Sequence, residues 1–204
     1  MIVIINYGIG NVGSILNMFK HIGVQAKISV DPEDLLQASG LILPGVGSFD
    51  TGMTKLRESG YSDMLDEQVI AKKIPVLGIC LGMQMLTQKS EEGELPGLGW
   101  IDAETIRFRV PTHEYKIPHM GWNELIIDQP APLMKGLAEE NRFYFVHSYH
   151  VVCRNSKDVL ANTRYCYEFC SVFQHENIMG TQFHPEKSHR FGMQLLSNFA
   201  ECCR

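Results

Sequence analysis

A cysteine between two glycines is the residue in this sequence best suited to nucleophilic chemistry. Gly78-Ile79-Cys80-Leu81-Gly82 follows the apolar run Ile74–Ile79 and precedes residues with helical spacing. Glycines on both sides of a nucleophile permit the sharp turn between strand and helix that exposes its side chain. A thiol in the first turn of a helix is also stabilised as the thiolate, because the helix dipole is positive there. We therefore predict that Cys80 is a nucleophile and not a buried structural cysteine.

A base and a partner for it stand two residues apart near the C-terminus. His184 and Glu186 are joined by Pro185 and follow the predicted strand segment Met179–Phe183. Residues two apart in an extended chain share a face, so both side chains are expected to point toward Cys80. A thiolate nucleophile needs a base, and the base needs an acceptor that orients it. The sequence thus predicts a Cys80–His184–Glu186 triad.

Backbone donors for a developing oxyanion are predicted at two places. The glycine-rich loop Pro44–Phe49 follows the predicted strand Leu41–Leu43, next to the strand that carries Cys80. By itself such a loop is typical of a plain strand-to-helix turn. Beside a nucleophile, its backbone N–H groups and that of Leu81 are placed to form an oxyanion hole.

Two other patterns indicate different chemistry. The loop Gly8–Gly13 matches Gly-x-Gly-x-x-Gly between a strand and a helix, and with Asp31 it has the layout of a dinucleotide-binding fingerprint. Only one such unit is present, and the chain leaves little room for a substrate domain. Cys166, Cys170 and His175 are a second candidate, as metal ligands. The short Cys-x-x-Cys pairs of structural zinc sites are absent, so we predict no metal.

The elements that position these residues alternate in the first half of the chain. Continuous apolar strands separated by helices predict a parallel sheet covered on both faces, in a doubly wound arrangement. Asp31 and Pro32 are typical of a helix start. The predicted strands are Ile2–Ile5, Ala26–Val30, Leu41–Leu43 and Ile74–Ile79, and the predicted helices are Ser14–His21, Thr51–Glu58, Asp63–Ala71 and Leu81–Lys89.

From Gly97 onward, strands separated by turns predominate. His175–Asn177 is predicted as a hairpin turn and Ser188–Glu201 as a closing helix. The predicted strands are Trp100–Phe108, Lys116–Ile127, Phe143–Val152, Leu160–Arg164 and Ser171–Phe183. We predict an α/β fold in which residues 1–204 form one domain, a doubly wound sheet with a parallel core and an antiparallel C-terminal extension.

Composition excludes several classes of function. The 204 residues carry a formal net charge of -5 and no Lys/Arg run, which argues against nucleic-acid binding. The longest apolar stretches fall far short of the ~20 residues that span a membrane. The N-terminal segment has no basic leader, and the six cysteines are irregularly spaced, so we expect reduced thiols in the cytoplasm.

Four segments together resemble the class I (triad) glutamine amidotransferases, over nearly the whole chain. They are Pro44–Phe49, Gly78–Gln84, Pro118–Asn123 and Gln182–Ser188. The third, Pro-His-Met-Gly-Trp-Asn, is similar to the glutaminase subunits of histidine biosynthesis, whereas the other three are shared across the family. The resemblance implies a glutaminase of the fold predicted above, with no metal or bound cofactor.

The resemblance also implies a role for each residue. Cys80 attacks the side-chain carboxamide carbon of glutamine, His184 protonates the departing ammonia and Glu186 orients His184. Water then hydrolyses the glutamyl thioester. Oxyanion-hole donors match Gly47 and Leu81, and positions that hold the glutamine match Gln84, Ser148 and Tyr149.

A partner is implied in the same way. It is a (β/α)8-barrel cyclase subunit, which uses the ammonia to make imidazole glycerol phosphate and AICAR. Positions at or near the docking face match Asn11, Met120, Trp122 and Lys187, although core packing is an alternative for Trp122. We expect structural roles for His119, His147 and His150.

The acceptor of the ammonia is open at this point. The first helix begins Gly10-Asn11-Val12-Gly13-Ser14, where many histidine-pathway subunits have a Leu- and Arg-containing opening. A similar opening occurs in paralogues that supply ammonia to sugar-modifying amidotransferases of surface polysaccharide synthesis. Two further alternatives are a free-standing cysteine hydrolase or peptidase and a nucleotide-binding subunit built on the N-terminal glycine loop.

Overall fold

Strands and helices alternate in the first half of the chain, and strands predominate in the second. The computed structural model describes residues 1–111, 113–137 and 140–204. In these residues the strands are β1 Ile2–Ile5, β2 Ala26–Ser29, β3 Gly40–Gly45, β4 Val76–Cys80, β5 Ala103–Arg107, β6 His119–Asn123, β7 Ile126–Ile127, β8 Phe143–His147, β9 Tyr149–Cys153, β10 Val159–Tyr165, β11 Tyr167–His175 and β12 Ile178–Thr181. The α-helices are α1 Val12–His21, α2 Pro32–Leu36, α3 Phe49–Glu58, α4 Ser62–Asp66, α5 Leu81–Met85 and α6 His189–Cys202.

The main sheet has a parallel core and an antiparallel extension, which confirms the predicted fold class. Its core runs in the order β2-β1-β3-β4-β12, with every neighbouring pair parallel. From β12 the sheet continues antiparallel through β11, β10 and β7, while β9 joins β11 and β5 joins β9. The last strand of the chain therefore lies inside the sheet, next to the strand that ends in Cys80.

Apolar side chains bury both faces of the parallel core. Ile2 and Ile4 of β1 pack in the cluster that includes residues of α1 and α6, whereas Val3 and Ile5 pack in the cluster that includes residues of α2, α3 and α4. Successive residues of a strand point to opposite faces, so a continuous apolar run is needed where helices cover both. This is the doubly wound arrangement that the sequence predicts.

The predicted helix starts and ends differ from the observed ones in instructive ways. Asp31 is the N-cap of α2, and its side chain accepts a hydrogen bond from the Glu33 N–H, as predicted. The predicted helix Leu81–Lys89 was wrong in length, because α5 ends at Met85. Beyond it, the Gln88 N–H donates to the Ala103 carbonyl, so the chain there pairs with a strand.

Two predicted strands of the second half are interrupted. Phe143–Val152 divides at Ser148 into β8 and β9, and Lys116–Ile127 divides into β6 and β7. Strand β8 pairs with β6 in a two-stranded sheet outside the main one. The second half therefore extends the main sheet only in part. The predicted turn at His175–Asn177 is confirmed, since it joins the antiparallel strands β11 and β12. Within the described ranges, no helix is long and apolar enough to cross a membrane.

Candidate active site

The carboxyl ends of three neighbouring parallel strands converge at one edge of the sheet. In the register of β3, β4 and β12, Gly45 lies opposite Cys80 and Ile79 lies opposite Thr181. The glycine-rich loop, the Cys80 turn and the His184 segment follow these strands directly. Ligands of open α/β sheets bind at this edge, beyond the carboxyl ends of the strands. Strand order thus brings together segments that are distant in sequence.

Cys80 sits on a sharp turn between β4 and α5. Its backbone φ is +54°, a left-handed conformation that is uncommon for a residue other than glycine. Gly82 lies so close to β3 that a Cβ atom there would be 1.9 Å from the carbonyl oxygen of Leu43. Strain at one residue and close backbone packing two residues later are typical of a turn that presents a nucleophile.

Gly82→Ala is expected to lower the free energy of unfolding by about 3 kcal/mol or more, because the backbone of β3 must move to accept the methyl group. Denaturant unfolding followed by circular dichroism measures this change. Gly13→Ala is the matched control, since Gly13 is also the second residue of a helix but has no atom within 4 Å of an added Cβ. We expect it to be neutral or to gain up to about 1 kcal/mol. Equal losses in the two variants would contradict the close approach.

His184 is held between a carboxylate and the Cys80 thiol. Its Nδ1 donates to Glu186 Oε1 at 2.9 Å, and both side chains are buried. The nitrogen Nδ1 therefore carries a proton, and Nε2 is the ring nitrogen left for Cys80. Burial lowers the pKa of His184, but hydrogen bonding to Cys80 and Glu186 and the charges of both outweigh it and raise that pKa to about 10. The ring is accordingly an imidazolium near neutral pH.

The backbone of His184 is also fixed. Its N–H donates to the Tyr144 carbonyl at 2.9 Å, and its carbonyl accepts the Ser188 hydroxyl at 2.6 Å. The same hydroxyl oxygen accepts the Tyr144 N–H at 3.0 Å. These bonds join the triad segment to β8 and hence to the two-stranded sheet.

A cavity of about 340 Å³ opens above the thiol. The structure brings most of the sequence-predicted site residues to its wall, namely Gly47, Cys80, Leu81, Gln84, Ser148, Tyr149 and His184. Glu186 lies behind His184 and does not line the cavity. Gly47 has φ +96° and so permits the turn that carries the loop over the cavity.

Glu92 lines the same cavity and was missed by the sequence analysis. Its Oε2 accepts the Phe49 N–H at 2.8 Å. Burial raises the pKa of Glu92 and the Asp50 charge adds to this, while the bond from Phe49 opposes it. Glu92 lies in an irregular segment with no periodicity, so its sequence context carries no signal that it reaches the cavity.

The four predicted docking residues occupy the surface near the triad. Met120 and Trp122 on β6 are 62% and 44% exposed, so Trp122 is not a core residue. The Trp122 ring stacks on His189 with the ring centres 5.4 Å apart. Lys187 is exposed, with Nζ 5.4 Å from the centre of the Tyr144 ring. Asn11 precedes α1, which packs against the turn Pro185–Lys187.

The residues of the two competing patterns make structural contacts in the fold. Asp31 caps α2, and an added Cβ at Gly10 would lie 2.8 Å from Pro44, so the N-terminal glycine loop packs against the loop after β3. His175 does not form a metal site with Cys166 and Cys170; its Nδ1 lies 3.1 Å from Asp158 Oδ1 instead. No cluster of three or more His, Cys, Asp or Glu side chains suited to a metal ion occurs in the part of the chain that is described.

The three predicted structural histidines are buried and hydrogen-bonded. His119 Nδ1 lies 3.0 Å from His147 Nε2, and His150 Nε2 lies 3.0 Å from the Tyr167 hydroxyl. Phe108 packs against all three rings. Of the three, only His147 reaches the cavity wall.

Comparisons with known proteins show which family the chain is similar to. The profile of the family "Glutamine amidotransferase class-I" matches residues 3–202. The chain is 52% identical to "Imidazole glycerol phosphate synthase subunit HisH 2" of Pseudomonas aeruginosa, covering 98% of this chain and 99% of that protein. It is 55% identical to the protein of the same name from Methanococcus maripaludis, covering 98% of each.

The fold has solved counterparts at much lower sequence identity. A structure described as "Crystal structure of glutamine amidotransferase" superimposes with a TM-score of 0.78 at 22% identity, covering 98% of both chains. At this identity the likeness is one of fold.

Proposed function

Since this chain belongs to the class I glutamine amidotransferases, we propose that it is the glutaminase subunit of an imidazole glycerol phosphate synthase. It hydrolyses glutamine to glutamate and ammonia and delivers the ammonia to a cyclase subunit of histidine biosynthesis. The observation that carries the proposal is the spatial arrangement of Cys80, His184 and Glu186, in that order, beside a cavity of about 340 Å³. That volume suits a small molecule such as glutamine better than a peptide.

In the proposed mechanism, Cys80 and His184 work as an acid–base pair. The Cys80 sulfur attacks the carboxamide carbon of glutamine, and the imidazolium of His184 gives its proton to the departing ammonia. The product is a glutamyl thioester and a neutral His184 ring. The ring then removes a proton from water, which hydrolyses the thioester to glutamate and restores the thiolate. Glu186 keeps the proton on Nδ1 throughout, so Nε2 is the ring nitrogen that exchanges protons with the reacting groups.

Backbone donors are proposed to stabilise the charge on the carbonyl oxygen of each tetrahedral intermediate. The Leu81 N–H starts α5 beside the thiol, and Gly47 lines the cavity from the neighbouring strand end. A donor aimed at such an oxyanion contributes about 3 kcal/mol to the stability of the transition state in other hydrolases.

The remaining polar groups of the cavity are proposed to hold the glutamine. Gln84, Ser148 and Tyr149 line the wall beside the thiol. We add Glu92 to them, because a carboxylate on the cavity wall suits the α-ammonium group of an amino acid.

The partner is proposed to be a (β/α)8-barrel cyclase that docks over Asn11, Met120, Trp122 and Lys187. Exposed apolar side chains beside the active site favour this face, because aromatic residues and Met are enriched at interfaces. The position of the face would let ammonia pass directly into the partner.

Trp122→Ala is expected to raise the Kd for the cyclase about 30-fold, since large aromatic side chains often contribute about 2 kcal/mol to a protein interface. Titration calorimetry with the purified cyclase measures this change. Ile126→Ala is the matched control, because Ile126 is equally exposed but lies on β7 at the far edge of the main sheet. Equal affinities for all three proteins would place the docking face elsewhere.

A second candidate keeps the glutaminase and changes the acceptor to a sugar-modifying amidotransferase of surface polysaccharide synthesis. It is favoured by the segment Gly10–Ser14 at the start of α1. The chemistry at Cys80 is the same in both cases.

Glutamate release by the purified chain tests the function, alone and with a histidine-pathway cyclase and its nucleotide substrate. A strong rise with cyclase and nucleotide together supports the leading proposal. Glutamine turnover that ignores the cyclase supports the second acceptor, and cleavage of peptides would indicate a free-standing hydrolase. Absence of glutamate in every mixture, from folded protein with reduced Cys80, would contradict the catalytic assignment and leave a nucleotide-binding subunit as the alternative.

We also propose that residues 1–204 form a single domain and that the protein works in the cytoplasm. The family profile matches residues 3–202, which supports one domain. The six cysteines, all within the described ranges, are free thiols, as expected where thiols are kept reduced.

A further inference from the structure

Gln182 is buried directly beside the nucleophile, and the mechanism above gives it no role. It follows Thr181, which lies opposite Ile79 in the parallel pair of β12 and β4, so the register places Gln182 next to Cys80. Its side chain is fully buried, and its Nε2 lies 3.8 Å from Cys80 Sγ, within hydrogen-bond distance for sulfur. A buried amide needs partners for its N–H groups, and here one of them is the reacting sulfur.

The neighbouring side chain determines which end of this amide faces the sulfur. Gln84 Nε2 lies 3.0 Å from the Tyr149 carbonyl oxygen, which can only accept a hydrogen bond, so this end of Gln84 must be the nitrogen. The same nitrogen donates to Gln182 Oε1 at 3.1 Å. The oxygen end of Gln182 is thereby occupied, and its N–H end points at Cys80.

Two buried histidines extend this network beyond the Tyr149 carbonyl, which accepts from both Gln84 and His147. His147 Nδ1 donates to the Tyr149 carbonyl at 2.8 Å, so its Nε2 accepts the Nδ1–H of His119 at 3.0 Å. His119 Nε2 then accepts the Asn123 side-chain amide at 3.2 Å. Burial keeps both rings neutral, since it lowers the pKa of His119 to about 4 and that of His147 well below its usual range. Each ring therefore has one donor and one acceptor, as the network requires.

We propose that Gln182 is a further catalytic residue, whose Nε2–H donates to Cys80 Sγ and stabilises the thiolate, and that Gln84, His147 and His119 are positioning residues for it. This inference rests on the proposed function of Cys80 as nucleophile. Gln84 uses both of its N–H groups in this network, so its side-chain oxygen is the end that remains for glutamine. The network also runs from β6, on the proposed docking face, to the nucleophile.

Alkylation of Cys80 by iodoacetamide tests the hydrogen bond without any glutamine turnover. The thiolate sulfur bonds to the acetamide carbon and iodide leaves, so the rate follows the thiolate population. Cys166, in the turn between β10 and β11, is the internal reference thiol, and mass spectrometry separates the two peptides. Other titratable groups lie near Cys80: three face the cavity (His184, Glu92 and His147), and Glu186 lies behind His184. Because their ionisation can also affect the alkylation rate, every variant is compared over the same pH range.

Gln182→Met removes the N–H donor at nearly constant shape. We expect Cys80 alkylation at neutral pH to slow about 10-fold and its pH midpoint to rise, because hydrogen bonds to charged groups exceed neutral ones in strength. In the glutaminase reaction kcat should fall by a similar factor with little change in KM. Gln182→Glu should be slower still, since a carboxylate repels the thiolate. Gln37→Met changes the exposed residue that follows α2; it is the matched control and should behave as the unchanged protein.

A packing role for Gln182 predicts a different order, with Gln182→Glu close to the unchanged protein because it preserves the shape best. Unchanged alkylation of both folded variants would overturn the proposal. If neither variant folds, side-chain amide NMR of the unchanged protein tests whether Gln182 donates to Cys80. The Gln182 amide protons should shift as Cys80 ionises or is alkylated, and resonances as invariant as those of Gln37 would also overturn it. If the variants show the expected alkylation rates but the unchanged protein does not hydrolyse glutamine, the proposed function is contradicted and the hydrogen bond from Gln182 is not.

Discussion

Cys80→Ser should abolish glutamine-dependent synthesis by the complex while synthesis from added ammonium salts continues. A serine hydroxyl is far harder to ionise than a thiol, so the variant lacks a nucleophile comparable to the Cys80 sulfur. Loss of a nucleophile in a triad costs on the order of 10⁴-fold or more in rate. Product formation by the complex, with glutamine or ammonium chloride as nitrogen source, measures both activities.

The control for this substitution is Cys166→Ser, which replaces another free thiol in the turn between β10 and β11. It should leave both activities near those of the unchanged complex. Residual glutamine-dependent synthesis in Cys80→Ser would show that a different residue attacks the carboxamide. Loss of the ammonia-dependent activity as well would argue against the delivery of ammonia to a separate site.

Glu186→Gln should lower the rate of glutamate release by about 10²- to 10⁴-fold, the range expected when the partner of a catalytic imidazole is lost. A neutral amide can turn its N–H group toward His184 and so favour the wrong tautomer of the ring. The pH dependence should change too. A raised pKa of about 10 keeps His184 protonated below that pH, so activity of the unchanged protein should decline only as the pH rises through about 10.

Removing the carboxylate takes away its hydrogen bond and its charge, both of which raise the pKa of His184, while the opposing effect of burial remains. The alkaline decline of Glu186→Gln should therefore move to lower pH. Asp158→Asn is the matched control, because it removes the carboxylate from a second His–carboxylate pair, His175–Asp158, which does not line the cavity. A decline at the same pH in all three proteins would mean that His184 is not the acid.

Residues at the ends of parallel strands were the predictable part of the site. Cys80 and Gly47 follow apolar runs, whereas His184 follows the segment Met179–Phe183, which contains Thr181 and Gln182. Because such runs predict neighbouring parallel strands, their carboxyl ends are expected at one edge, where the structure has them. Local sequence and strand direction together were sufficient here.

The rest of the site depends on contacts that local sequence does not encode. The end of α5 at Met85 follows from pairing between Gln88 and Ala103, and periodicity carries no record of that pairing. Glu92 and Gln182 likewise could not be assigned to the site from their local sequence. The first lies in an irregular segment, and the second is a polar residue in a mostly apolar run whose partner, Gln84, is 98 positions away.

The position of β12 between β4 and β11 has a consequence for synthesis on the ribosome. About 100 residues separate Cys80 from β12, so at about 5–20 residues per second the nascent chain spends about 5–20 s with one edge of β4 unpaired. During that interval the cysteine has no base beside it, and an open strand edge can pair with other chains. Closure of that edge and assembly of the triad are therefore one folding event, completed only when the last strand emerges.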